Sequence, residues 1–302
     1  MTTEGKLLRG LVAAPFTPFN TDLSLNLGVI DRFSSYLVSV GVTGVFICGT
    51  TGEFPSLTIE ERIAIADAWV IAARRDGLKL VLHVGDNCLV TSQALARHGG
   101  DIGVDAIAMV PPSYFKPNGI GNSLEVFGAV AESAPATPIY YYDIPGLTGV
   151  AVSTSEFIRQ AKATIPTFAG VKFSNTDLIE LQRCVGLGDE SLNLLFGCDE
   201  MLLSAQVLGI DGAVGSTYNY LAPLYSQMLD ALKQGDMERA RTLQGLSVKV
   251  VDLLCETSPL PAGKLLLKRV GFDFGPVRLP LKNLTVSEEQ NLNQSLDNLS
   301  VF

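Results

Sequence analysis

One lysine offers the most chemistry in this chain. Lys172 lies in Thr167-Phe-Ala-Gly-Val-Lys-Phe-Ser174, a mainly apolar run with Pro166 before it and Asn175-Thr-Asp177 after it. Such a run reads as a short buried strand. A charged ammonium at the end of a buried strand is expensive to desolvate, and the cost falls if the neutral amine is kept. A neutral amine is the nucleophile that forms Schiff bases with carbonyl compounds. The alternative is a lysine that lays its stem along apolar surface and keeps its head in water.

Three other segments carry groups that such chemistry could use. Gly49-Thr-Thr-Gly-Glu53 sets paired hydroxyls among glycine-flanked amides, which could hold a carboxylate, or could form a plain turn with its hydroxyls bonded locally. Tyr140-Tyr-Tyr-Asp-Ile-Pro145 offers a phenol as a proton shuttle, while aromatic core is the natural role for Tyr140 or Tyr141. Gly197-Cys-Asp-Glu200 places two carboxylates side by side. They suit the hydroxyls of a polyol, or serve as helix N-terminal acids favoured by the macrodipole.

The elements that must position these groups follow from periodicity. Strand-like runs fall at residues 10–16, 44–49, 79–85, 105–112, 138–145, 167–174, 193–199 and 212–217. Helical patterns fall between and after them, at 27–40, 59–74, 91–100, 122–133, 154–162, 178–185, 200–208 and 223–232. Thr58-Ile-Glu-Glu61 is a capping box opening the second helix. This α/β pattern predicts a (β/α)8 TIM barrel over residues 1–232. Helices alone follow, at 237–255, 261–270 and 286–296, and predict a C-terminal three-helix appendage over 233–302, packed on the barrel. A doubly wound sheet is the rival, but Ala13-Ala-Pro-Phe-Thr-Pro-Phe19 is not the glycine-rich loop that such a sheet carries after its first strand. In a barrel, reactive groups gather at the C-terminal ends of the strands. Lys172, Tyr142, Thr50, Thr51, Asp199 and Glu200 all fall there, as does Gly215-Ser-Thr-Tyr-Asn219.

Composition narrows the partners. With 47% hydrophobic and 18% charged residues the 302-residue chain is an ordinary folded protein. A net charge of −9 argues against nucleic acid, and obliges local groups to hold any anionic substrate. Residues 1–6 lack the order of a signal peptide, and no apolar run approaches the roughly 18 residues that span a bilayer. Five scattered cysteines and two histidines without ligand spacing predict neither a disulfide framework nor a metal site. The expectation is a reduced, cytoplasmic, metal-free protein that binds small molecules.

Together, Gly49-Thr-Thr-Gly-Glu53, Tyr142-Asp-Ile-Pro145 and Gly170-Val-Lys-Phe-Ser174 resemble the pyruvate-dependent class I aldolase superfamily. Its members include N-acetylneuraminate lyases and dihydrodipicolinate synthases. The similarity runs from about residue 11 to residue 281 and takes in Gly275-Pro-Val-Arg-Leu-Pro-Leu281. The resemblance implies a homotetrameric (β/α)8 barrel without a cofactor, in which Lys172 attacks the keto carbon of pyruvate. It implies that Tyr142 relays protons and that Thr50 and Thr51 hold the pyruvate carboxylate or join the relay. Tyr114 resembles a tyrosine that reaches across a subunit interface in some members, although an aromatic packed in its own loop is an equal reading.

Within the superfamily the sialate lyases are the nearer branch. Synthases carry an arginine for a second carboxylate where this chain has Leu147. Gly197 followed by Asp199 and Glu200 resembles the acidic pair with which sialate lyases bind sugar hydroxyls, with Ser174 and Ser216 completing the rim. The run from Gly212 to Leu221 is similar to that branch as well. Asp143, where asparagine or histidine is usual, and Cys198 depart from the pattern, as does Ser174 in place of a threonine. The activity implied is reversible cleavage of N-acetylneuraminate to N-acetylmannosamine and pyruvate. The alternatives are another member enzyme (a keto-deoxy sugar acid aldolase, a 4-hydroxy-2-oxoglutarate aldolase or a dihydrodipicolinate synthase) and a non-catalytic sugar-acid binding protein.

Overall fold

The computed structural model describes residues 8–189, 191–210, 212–299 and 301. The stretch 1–6, inspected above for a leader, lies outside them. Eight short strands form the centre: β1 (Gly10–Ala13), β2 (Gly44–Ile47), β3 (Lys79–His83), β4 (Ala106–Met109), β5 (Ile139–Asp143), β6 (Phe168–Phe173), β7 (Asn193–Phe196) and β8 (Gly212–Gly215). Each pairs in parallel with the next, and β8 closes on β1, so the sheet is a barrel without edges. Side chains alternate across such a sheet. Val12, Phe46, Val81, Ala108, Tyr142 and Val214 pack together inside the barrel. Their neighbours Leu11, Val45, Leu82, Ile107, Tyr141 and Ala213 face the surrounding helices.

The register decides where Lys172 points. It pairs with Tyr142 on β5 and with Leu195 on β7, and shares the inward row with Gly170. A Cβ on Gly170 would collide with the Asn193 carbonyl and the Tyr140 ring. The missing side chain therefore admits Tyr140 to the barrel floor, where its hydroxyl donates to Asn193 Oδ1 at 3.0 Å. The same oxygen accepts the Leu8 N–H at 3.0 Å, while Asn193 Nδ2 donates to the Leu8 carbonyl at 3.0 Å. This plug seals the N-terminal end, and the next inward residue of β6 is Lys172.

Helices α1 (Gly28–Ser39), α2 (Ile59–Asp76), α3 (Leu89–Ile102) and α4 (Gly119–Ala131) follow the first four strands. The Thr58 capping box is present, with Thr58 Oγ1 accepting from the Glu61 N–H at 3.2 Å and Glu61 Oε2 from the Thr58 N–H at 3.0 Å. After β5 comes a four-residue helix absent from the sequence reading, α5 (Pro145–Thr148), started by a proline at its first position. Then come α6 (Thr154–Thr164), α7 (Leu178–Val185) and α8 (Leu202–Val207), the last preceded by a 3-10 turn at Asp199–Met201. The barrel's last helix, α9 (Tyr218–Lys233), starts five residues before the expected 223. Burial explains the difference. Tyr218 and Tyr225 are fully buried and pack edge-to-face at 4.8 Å, and this packing outweighs the local cost of Pro223 inside the helix.

The strands are also shorter than their sequence patterns, because the apolar runs continue into loops buried at the barrel mouth. Helices α10 (Met237–Cys255), α11 (Pro259–Arg269) and α12 (Val286–Leu299) complete the chain. Ala240, Val250, Leu266 and Leu296 belong to the same continuous core as the barrel helices. No helix among the described residues is long and apolar enough to cross a membrane.

Gly170→Ala is expected to destabilise the protein by about 1–3 kcal/mol or more, since the methyl group must displace backbone at the barrel floor. Thermal unfolding checks this, and an unchanged melting temperature would show that the plug tolerates expansion.

Candidate active site

At the C-terminal mouth of the barrel lies a cavity of about 200 Å³. Its lining includes Lys172, Tyr142, Thr50, Thr51, Ser174, Gly197, Asp199, Glu200 and Ser216. These residues come from the ends of five different strands, so closure of the barrel is what brings them together.

Lys172 is 4% exposed. Its Nζ lies 4.0 Å from the centroid of the Tyr142 ring and 4.2 Å from that of Phe46. Aromatic faces can hold an ammonium, and they also form dry walls around an amine. No carboxylate pairs with Lys172 among the described residues. The Tyr142 hydroxyl stands 3.4 Å from Thr50 Oγ1, so the phenol, the threonine hydroxyl and the amine share one wall. Tyr140 and Tyr141 take the core roles foreseen for one of them. Tyr140 lies in the barrel floor, and Tyr141 packs outward against Phe127 and Phe157 at 5.4 and 4.4 Å.

The loop after β2 is shaped by its backbone. Cys48 and Glu53 have φ of +54° and +57°, left-handed values that residues with a Cβ rarely adopt. They bracket Gly49-Thr-Thr-Gly52 and turn it over the mouth. Thr17 Oγ1 donates to the Gly52 carbonyl at 2.7 Å, and the Glu53 N–H donates to the Thr50 carbonyl at 3.0 Å.

The strand-seven acids differ in environment. Asp199 Oδ2 accepts the Thr217 N–H at 2.9 Å and the Thr217 hydroxyl at 2.6 Å. Gly215 lies directly beneath the carboxylate, where a Cβ would clash. Burial pushes the Asp199 carboxyl up to about 6, against the lowering effect of the Thr217 hydrogen bonds and of Lys172. Glu200, beside it, is only half-buried. Gly197 likewise yields space, since a side chain there would strike the Ser174 hydroxyl.

Several residues singled out in the sequence lie elsewhere. Asp143 faces away from the cavity and accepts from Thr154 Oγ1 at 2.9 Å and Asn175 Nδ2 at 3.2 Å, and burial raises its carboxyl above the usual range. Burial also pushes the Cys198 thiol up to about 12, and that residue does not line the cavity. Leu147, in α5, is 67% exposed and outside the lining. Tyr114 is remote as well: it is 79% exposed and packs edge-to-face on the equally open Phe115. Conversely, sequence reasoning missed the outer wall, made by Val251, Leu254 and Cys255 of α10 and by Pro259 of α11. Helical periodicity marked Val251, Leu254 and Cys255, while Pro259 precedes the helix expected at 261–270, and periodicity does not say what a buried face covers.

The Asp199 environment has a measurable consequence. Its carboxyl ionises near 6 in the folded protein and near 3.8 when unfolded, a difference of about 3 kcal/mol. The sign follows from proton binding: below about pH 4 both states are protonated and nothing is lost, and the folded state loses stability as the pH rises through about 6. The melting temperature of Asp199→Asn relative to the native protein is therefore expected to climb between about pH 4 and pH 7. A difference independent of pH would show that this carboxyl does not titrate in that window.

Comparison with known proteins adds the family. The model of the dihydrodipicolinate synthetase family matches residues 7–299. The N-acetylneuraminate lyase of Danio rerio is 41% identical over 305 residues, covering 99% of this chain and 99% of that protein. The structure of the Proteus mirabilis N-acetylneuraminate lyase superposes with a TM-score of 0.95 at 33% identity, covering 98% of this chain and 100% of that one. The Aliivibrio salmonicida N-acetylneuraminate lyase gives 0.95 at 34% identity, covering 98% of each. A match that spans every strand of the barrel and all the helices beyond it leaves one conclusion: the chain belongs to the dihydrodipicolinate synthetase family.

Proposed function

We propose that this protein is a carbon–carbon lyase that reversibly cleaves N-acetylneuraminate to N-acetylmannosamine and pyruvate through a Schiff base on Lys172. The observation that carries the reading is the single cavity in which a buried amine, a phenol and two threonine hydroxyls share space with the Asp199–Glu200 pair. The N-acetylneuraminate lyases similar to the chain over its whole length support it.

The chemistry follows from those groups. The Lys172 amine adds to the C2 keto carbon of the open-chain sugar acid, and loss of water leaves an iminium. The iminium draws electrons from the C3–C4 bond. As that bond breaks, the C4 hydroxyl gives up its proton and becomes the aldehyde of N-acetylmannosamine. The electron pair remains as an enamine, which takes a proton at C3, and water then releases pyruvate from Lys172. Tyr142 stands beside the amine and moves the protons. Thr50 and Thr51 hold the substrate carboxylate, with the Thr50 hydroxyl also linking to Tyr142. Ser174, Gly197, Asp199, Glu200 and Ser216 face the hydroxylated end. Because Thr217 already occupies one Asp199 oxygen, the sugar meets the remaining oxygen and the freer Glu200.

The reading extends to assembly and compartment. A homotetramer is proposed, with the exposed Tyr114 and Phe115 pair in a subunit contact. The cytoplasm is the proposed compartment, and the five unpaired cysteines fit a reducing one.

Incubation with N-acetylneuraminate should release pyruvate. Borohydride added with pyruvate should leave a reduced adduct on Lys172 and on no other residue, as read by peptide mass. Lys172→Ala should abolish both. Tyr142→Phe should lower kcat by about 10²–10⁴-fold and still form the adduct. Turnover of a different keto acid alone would reject the substrate and keep the mechanism, while turnover without an adduct would reject the mechanism.

A further inference from the structure

Behind the threonine loop lies a buried ion pair that the mechanism above does not use. Glu53 ends the Gly-Thr-Thr-Gly-Glu segment, and its side chain has no solvent exposure (0%). Lys264 of α11, 3% exposed, places its Nζ 2.9 Å from Glu53 Oε1. The other carboxylate oxygen accepts the Arg278 N–H at 3.0 Å. Lys264 Nζ also donates to the Pro276 carbonyl at 2.6 Å and lies 4.6 Å from the centre of the Phe19 ring. The Arg278 guanidinium covers that ring at 4.4 Å and forks onto both Glu61 oxygens. The loop that carries Thr50 and Thr51 is thus tied to α11 and to the Gly275–Leu281 segment near the far end of the chain.

Such a pair is a poor device for stability alone. Removing two charges from water costs several kcal/mol each, and an apolar pair of similar volume often serves stability as well. What the pair does supply is position. Glu53 is held in the left-handed region at φ +57°, a conformation that persists only where its surroundings enforce it. The anchored carboxylate fixes the side of the loop that the Thr17 bond to Gly52 leaves free.

We propose that Glu53 and Lys264 are positioning residues that hold the Thr50–Thr51 hydroxyls in register with Tyr142 and Lys172, so that α11 sets how the site receives a substrate carboxylate. The proposal rests on the reading of those hydroxyls as carboxylate holders. Neither Glu53 nor Lys264 touches the substrate; both act through the loop.

The test compares two ketones in borohydride trapping at Lys172. Each forms an iminium with loss of water, and borohydride supplies the hydride that reduces it to a stable amine. Pyruvate carries the carboxylate and hydroxyacetone does not. The double variant Glu53→Gln/Lys264→Met removes both charges while roughly keeping shape. Its preference for pyruvate over hydroxyacetone is expected to fall about tenfold or more, because small misplacements of a binding group cost on that scale. Trapping of hydroxyacetone should stay within about twofold of the native protein. A merely structural role would lower both together, and that result, or an unchanged preference, overturns the proposal. If the double variant does not fold, Glu53→Gln alone keeps the acceptor for Arg278 and is held to the same criterion at about threefold.

Thr50→Val/Thr51→Val, run in parallel, separates the two failures. If it too keeps the preference for pyruvate, the carboxylate reading of the hydroxyls is wrong. If it loses the preference while the Glu53 variants keep it, only the positioning role fails.

Discussion

The structure depends on holding an amine between two aromatic faces without a carboxylate in direct contact. Lys172 sits between the faces of Tyr142 and Phe46 at the level where the barrel interior changes from packed hydrocarbon to open cavity. One step below it, Gly170, Tyr140 and Asn193 form a hydrogen-bonded floor. A carboxylate at this point would tie the amine up as an ion pair. Instead the carboxylates lie at the rim, where Asp199 is already engaged by Thr217.

Charge in the rest of the molecule is arranged around that constraint. The protein as a whole is acidic, with a net charge of −9, yet its proposed substrate is an anion. In the proposed mechanism, neutral donors on the Thr50–Thr51 loop meet the carboxylate without adding a cation that would compete with Lys172. Lys264, a buried cation behind the threonine loop, lies outside the cavity lining and is matched to Glu53. Glycines at 197 and 215 provide the remaining space, since each lies where a side chain would strike a polar group of the rim.

How far the sequence could be read varies from element to element. The barrel was legible because eight apolar runs alternate with helical patterns, and both periods are local. The Thr58 capping box was legible because its two bonds span only three residues. The start of α9 was not, because burial of Tyr218 and Tyr225 by distant elements outweighed a nearby proline. The cavity wall from α10 and α11 was not legible either, since Val251 and Leu254 look like any core residues until their partners are known.

The amino-acid order by itself determined the fold class and the reactive types at the strand ends, Lys172, Tyr142, Thr50 and Thr51 among them. Tertiary structure alone decided that Tyr140 enters the barrel floor while Tyr141 packs outward, that Asp143 turns outward while Asp199 turns inward, and that Glu53 meets Lys264 across 211 positions. The division has a physical cause. Strand and helix periods are written within about ten residues. Register around a closed barrel, and the burial that sets each group's charge, arise only when segments far apart in the chain are packed together.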